Sequence, residues 1–453
     1  MSTLLVRNIH TLVTMNAARE ELRGAAIFVR DHVIERVGRA SDLPQTADTV
    51  LDLQDRHIVL PGLVNTHHHF YQTLTRAIPA AQNCDLFGWL KALYPLWARM
   101  TPPALAGSAQ LCAAELIRSG CTTASDHLYL FPNGATLDDE IRAVGEAGLR
   151  FHASRGSMSV GESRGGLPPD SLVEAEEAII RDSRRVIESF HDSSRYSMLR
   201  IALAPCSPFS VSRDLMRESA ALARSYPGVR LHTHLAESNS DVDYSKATFG
   251  LSPGEYAESV GWVGPDVWHA HCVRLDDAAI SRFGQSGTGV AHCPCSNLRL
   301  ASGLAPIRKM RAAGVPVGLG TDGAASNDAT NLLHEARQAM LVARVLDQDA
   351  AAMTAREALE IATLGGAAVL GRADIGSIAP GMAADFIAIS LDRPGWVGAE
   401  QDPVAALIFC ETNGVDYSFI HGRCVVDRGE ITTLELPKLQ SEVRRHAIEL
   451  VRG

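Results

Sequence analysis

The chain has 453 residues, 46% hydrophobic and 21% charged, which is the composition of a folded enzyme and excludes a disordered protein. A net charge of −10 argues against a polyanionic partner, so nucleic acid is not expected and a small neutral substrate fits better. No apolar run approaches the ~18 residues of a membrane span, so no membrane partner is expected. Nine cysteines without a CxxC pair read as reduced thiols, and Met1 to Met15 lacks the apolar core and small-residue cleavage site of a signal peptide. Together these features predict a cytoplasmic protein.

In chain order, Leu4 to Met15, Ala25 to Asp31 and Val33 to Val37 read as short strands, with Asp31-His32 as a tight turn. Eight further strand-like runs follow: Ile58 to Thr66, Thr122 to His127, Leu149 to Arg155, Leu199 to Pro205, Val229 to His234, Val267 to His271, Gly289 to His292 and Pro316 to Thr321. Helix-like stretches such as Ser171 to Phe190 lie between them, and Ala355 to Leu364 follows the last. This alternation predicts an α/β fold, and eight such units predict a closed (β/α)8 TIM-type barrel rather than an open sheet. After the first run, Asp85 to Met100 carries Phe87, Trp89, Tyr94 and Trp97. The segment fits either an amphipathic helix packed on the barrel or a wall or lid of a substrate pocket. Ala384 to Leu391 and Tyr417 to Thr432 return to β character, punctuated by His421-Gly422 and Arg428-Gly429. The two ends are expected to pair into a composite β-sandwich domain, residues 1–58 with 375–453, beside a barrel of residues 59–374.

In such a barrel the C-terminal ends of the strands build the active site. The first run ends in Thr66-His67-His68-His69, and strand alternation puts His67 and His69 on one face while His68 points away. The fifth ends in His232-Thr233-His234-Leu235-Ala236-Glu237, the sixth in His269-Ala270-His271 and the eighth in Gly320-Thr321-Asp322. Imidazole and carboxylate suit zinc, and also iron. His232 and His269 share the parity of the site residues but lie deeper in their strands, and are read as packed.

The run Leu60-Pro61-Gly62-Leu63-Val64-Asn65-Thr66-His67-His68-His69, with His234 to Glu237, His271 and Thr321-Asp322-Gly323, resembles the amidohydrolase superfamily. The resemblance covers essentially the whole chain, including Gly376 to Asp385. HHHFYQTLTR and Pro205-Cys206-Ser207-Pro208-Phe209 are similar to the branch that deaminates oxidised guanine and hydrolyses hydroxylated triazines. Many members hold two metals through a lysine at the end of the fourth strand. Here the only lysines are Lys91, Lys246, Lys309 and Lys438, none in a predicted strand, and the fourth strand ends in Pro205-Cys206-Ser207. One divalent ion is therefore expected, zinc before iron. The HxE with PCxxC signature of cytidine-deaminase zinc sites is absent, and Cys293-Pro294-Cys295 reads as packed thiols.

The resemblance implies that His67, His69, His234 and Asp322 hold the ion, that Asp322 takes the proton of the attacking water, and that Glu237 is the general acid. His271 is implied to orient the water or to touch the ion. Gln72, Arg155 and Cys206 are candidate substrate contacts, Arg155 with a structural salt bridge as its alternative and Gln72 with a solvent-facing loop position as its own. Guanine deaminases carry Pro-Arg-Phe at the fourth strand, and Cys206 after Pro205 departs from that text. The implied activity is hydrolytic deamination of an aminated purine, 8-oxoguanine to urate and ammonia. Alternatives are a hydroxylated s-triazine, guanine or isocytosine as substrate, and a non-catalytic structural homologue. A homo-oligomer is expected by the same resemblance.

Overall fold

The computed structural model describes residues 2–452. Eight parallel strands close into a barrel: β1 (Leu63–Asn65), β2 (Cys121–Leu128), β3 (Arg150–Ser157), β4 (Leu199–Pro205), β5 (Arg230–Leu235), β6 (Val267–His271), β7 (Gly289–His292) and β8 (Val317–Leu319). Each pairs with its sequence neighbours and β8 returns to β1 through Leu319 and Asn65. The strands are buried almost throughout, as a parallel sheet covered by helices on one face and filled on the other requires.

The predicted first strand, Ile58 to Thr66, is two strands. His57–Pro61 pairs antiparallel with Phe386–Ser390 in a separate sheet, and the chain enters the barrel only at Leu63. Gly62 sits at the crossing, where a Cβ would lie 2.0 Å from the Thr122 hydroxyl, so no other residue passes there unshifted. Thr3–Val13, Glu21–Arg30 and Val33–Arg39 from the N-terminal part, and Tyr417–Ile420, Arg423–Asp427 and Glu430–Ile431 from the C-terminal part, complete a nine-stranded mixed sheet with Thr49–Asp52. The two ends of the chain thus meet, as expected. His421-Gly422 and Arg428-Gly429 have positive φ at both positions, the geometry of tight hairpin turns matched to strand twist.

Barrel and sheet are joined by the fully buried Arg150, whose guanidinium donates twice to Asp385 at 2.7 and 2.9 Å and once each to the Tyr196 and Ser197 carbonyls. The C-terminal helix Leu436–Arg452 packs on the barrel helix Pro102–Ser119. No helix among the described residues is long and apolar enough to cross a membrane.

Candidate active site

The site lies beyond the C-terminal ends of β1, β5, β6 and β8. Nitrogens of His67, His69 and His234 fall within 4.8 Å of one another, and Asp322 Oδ1 lies 3.3 Å from both His67 Nε2 and His69 Nε2. The hydrogen bonds behind each ring decide its tautomer. His69 Nδ1 donates to the His127 carbonyl at 2.8 Å and His234 Nδ1 to the Cys206 carbonyl at 2.6 Å. Each Nε2 is then a bare lone pair, yet the two face each other at 3.1 Å. His67 Nε2 is buried with no partner among the described residues. Acceptors gathered around one point, with no donor between them, are the arrangement a cation satisfies. Burial, reinforced by neighbouring imidazoles, pushes His67 well below its ordinary pKa and His234 down to about 3, so both rings are neutral as ligands must be.

Asp322 lies past the end of β8 with a left-handed backbone, φ 56°. Its Oδ2 accepts from the Ser296 and Ser326 hydroxyls at 2.6 and 3.0 Å, and its Oδ1 from the Gly323 amide. Burial alone would raise this carboxyl. The imidazoles of His67, His271 and His69 close against it outweigh burial and hold Asp322 well below the usual carboxylate range. Glu237, which also faces His271 Nε2, is driven the other way: burial first, then Asp241 and Asp322, raise it well above its ordinary value. His271 Nε2 lies 3.5 Å from Glu237 and 3.9 Å from Asp322, with its Nδ1 bonded to Asn297 at 2.9 Å.

These groups form the floor of a cavity. Its walls include Gln72, Tyr129, Cys206, Ser207, Phe209 and Leu300, with Leu86, Trp89, Leu90 and Tyr94 from the helix Leu86–Trp97. The segment Asp85 to Met100 is therefore a pocket wall, tied down by Trp89 Nε1 donating to the Ala325 carbonyl and Trp97 Nε1 to Thr75. Gln72 is buried, its Oε1 accepting from the Ala325 amide while Nε2 has no partner among the described residues. Gly323 makes room for it, since a Cβ there would lie 1.9 Å from Gln72 Oε1. Cys206 faces the cavity as a neutral thiol, its pKa pushed up to about 12 by burial.

Arg155 stands apart from the cavity. Its guanidinium bonds Asp182 at 2.6 Å and Glu174 at 2.8 Å and covers the Phe131 ring, because alternation along β3 turns this position outward, toward the helices. His68 also points away, onto Cys112 of the helix Pro102–Ser119. His269 is packed, its Nε2 donating to the Trp262 carbonyl at 3.0 Å and its ring stacking on Phe283, on the opposite face from His271. The parity expected to unite these two fails because His271 and Cys272 have φ of 69° and 52°, so β6 leaves the extended conformation at His271. His232 faces inward and bonds His67 Nδ1 at 2.8 Å. His127, at the end of β2, was not singled out by its sequence context, yet it joins the histidine cluster, stacked on His234 with its Nε2 bonded to the Ala204 carbonyl. A histidine at a barrel strand end was the available signal. The four lysines all lie on helices outside the barrel strands, and the nine cysteines are free.

Residues 58–425 match the amidohydrolase family. The chain is 45% identical to an 8-oxoguanine deaminase from Pseudomonas aeruginosa over the full length of both proteins. It is 36% identical to a hydroxydechloroatrazine ethylaminohydrolase from Pseudomonas sp. strain ADP, covering 99% of this chain and 96% of that one. The crystal structure of an atrazine chlorohydrolase from Arthrobacter aurescens TC1 complexed with zinc superimposes with a TM-score of 0.93 at 32% identity, covering 98% of this chain and all of the other. The chain belongs to the amidohydrolase family and is a metal-dependent hydrolase acting on C–N bonds.

Proposed function

We propose that the chain deaminates 8-oxoguanine, replacing the 2-amino group by oxygen to give urate and ammonia. The observation that carries this reading is a pair of carboxyls that both face His271 Nε2, at 3.5 and 3.9 Å, and are pushed in opposite directions: Glu237 raised, Asp322 lowered. Two such groups divide the acid and base work of a hydrolysis between them. One ion is held by His67, His69, His234 and Asp322, zinc in preference to iron, consistent with a fourth strand that ends in Pro205 rather than lysine. When bound, the ion lowers the pKa of water at the site to about 7, supplying the nucleophile at neutral pH.

Asp322 accepts the proton of the water that attacks C2, with its Oδ2 steadied by Ser296 and Ser326. Glu237, whose carboxyl is raised well above its ordinary value by burial, gives its proton to N3 of the ring, then takes the proton of the new C2 hydroxyl and passes it to the departing amine as the C2–N bond breaks. His271 turns its Nε2 toward both carboxyls and orients the water, its own orientation set by Asn297. Gln72 offers an unpaired amide donor to the purine edge. Cys206 presents a neutral thiol to the imidazole edge, where the 8-oxo group converts N7 from an acceptor into a donor. An arginine there would oppose donor to donor, and such an unpaired buried group costs about 1 to 3 kcal/mol.

A hydroxylated triazine is the second reading, favoured by the 36% identity to the hydroxydechloroatrazine ethylaminohydrolase. Incubation of zinc-loaded protein with 8-oxoguanine tests the first: urate and ammonia are expected in equal amounts, and no ammonia release at saturating substrate contradicts it.

A further inference from the structure

The three imidazoles proposed to hold the ion are locked in different ways. His69 and His234 donate Nδ1–H to main-chain carbonyls, of His127 and Cys206, which no side-chain substitution removes. The Nδ1 of His67 instead meets the Nε2 of His232 at 2.8 Å, and His232 Nδ1 in turn meets the Trp268 carbonyl at 3.0 Å. A carbonyl only accepts, so His232 carries its proton on Nδ1 and offers a lone pair at Nε2. His67 must then carry its own proton on Nδ1, which leaves Nε2 bare and aimed at the centre. His232 is fully buried, stacked on the Trp268 indole with centroids 4.4 Å apart, and its polar contacts among the described residues are these two alone. No carboxylate reaches it, and a lone buried charge is costly, so the ring is neutral and the direction of the relay is determined. Strand alternation builds the arrangement: His232 and His234 share the inner face of β5, one layer apart.

We propose that His232 is a positioning residue of the metal centre, setting the tautomer and ring orientation of His67 through a relay that ends on the Trp268 carbonyl. The proposal rests on His67 being a ligand, and the test separates the two claims. Protein stripped of metal is titrated with zinc against a chromophoric chelator, with thermal unfolding followed in parallel. His232→Leu fills the space without an acceptor, and zinc affinity is expected to fall roughly 10- to 100-fold while the melting temperature of the stripped protein stays close to wild type. His232→Gln supplies an acceptor for His67 and a donor for Trp268, and is expected to keep most of the wild-type affinity. Wild-type affinity in His232→Leu overturns the proposal, as does equal loss in both variants, which marks a space-filling role. In the stripped wild-type protein, nitrogen-15 shifts are expected to show both His67 and His232 protonated at Nδ1. A proton on His67 Nε2 overturns the relay whatever the variants do. Wild-type protein that takes up no zinc but shows these tautomers refutes the ligand reading and leaves the relay standing.

Discussion

Replacing Glu237 by glutamine separates proton transfer from metal binding. The carboxyl is buried, and burial favours its neutral form, so the amide conserves shape and adds no charge. The Glu237 backbone amide still donates to Asp241 Oδ2 at 2.8 Å, so the turn after β5 is unchanged. Nothing in this substitution disturbs the lone pairs of His67, His69 and His234, and one zinc per chain is expected to remain. What disappears is a group able to give up a proton. General acid–base groups contribute about 10²- to 10⁴-fold, so kcat is expected to fall by that factor, equivalent to roughly 3 to 5.5 kcal/mol of barrier. The assay is steady-state urate formation from 8-oxoguanine on protein whose zinc content has been measured by elemental analysis. Loss of zinc in Glu237→Gln would reassign the residue as a ligand. A kcat within about tenfold of wild type would refute its role as the acid.

Elemental analysis of the wild-type protein, freed of loosely bound ions, is expected to give close to one zinc or iron per chain. Chelation should abolish activity and added metal restore it, and His67→Ala or His69→Ala should empty the site; two tightly held ions per chain would contradict the single-ion reading. A second carboxyl pair, Asp126 and Glu140, lies fully buried, Asp126 accepting from the Phe70 amide; Asp126 is raised to about 7 by burial, and Glu140 is raised well above its ordinary value by burial and then by Asp126. Raised carboxyls mean that the folded chain keeps protons the unfolded chain has released, so their contribution to stability is present at low pH and lost as pH rises from the ordinary carboxylate range toward about 7. Glu140→Gln should therefore raise the melting temperature relative to wild type at pH 8, with the difference shrinking as pH falls toward 4. A difference that does not change across that window would show that the pair is not proton-linked.

The strand ends were legible because two independent regularities met there. Alternation put His67 and His69 on one side and His68 on the other, and barrel order brought His234, His271 and Asp322 to the same end. Alternation fails where the backbone leaves the extended region, which is why His269 and His271 part company at a φ of 69°. Arg155 illustrates a different limit: which side of a strand faces the barrel interior is invisible in sequence when both faces are buried and both mix polar with apolar residues, as in β3. The aromatic pattern of Asp85 to Met100 announced a buried face without saying what it covers, and only the fold puts Trp89 and Tyr94 over the histidines. His127 offered only its place at a strand end, and the hydroxyls of Ser296 and Ser326 gave no local signal, since these roles depend on a partner 77 residues away or on a loop's path.

The most direct test of the account is a comparison of kcat/KM for 8-oxoguanine, guanine, isocytosine and hydroxyatrazine on the zinc-loaded protein, following urate by ultraviolet absorbance and ammonia by a coupled assay. The account predicts 8-oxoguanine as the best substrate, ahead of guanine by about one to two orders of magnitude, the discrimination that one mismatched buried polar contact provides. A much higher kcat/KM for guanine or for the triazine would contradict it.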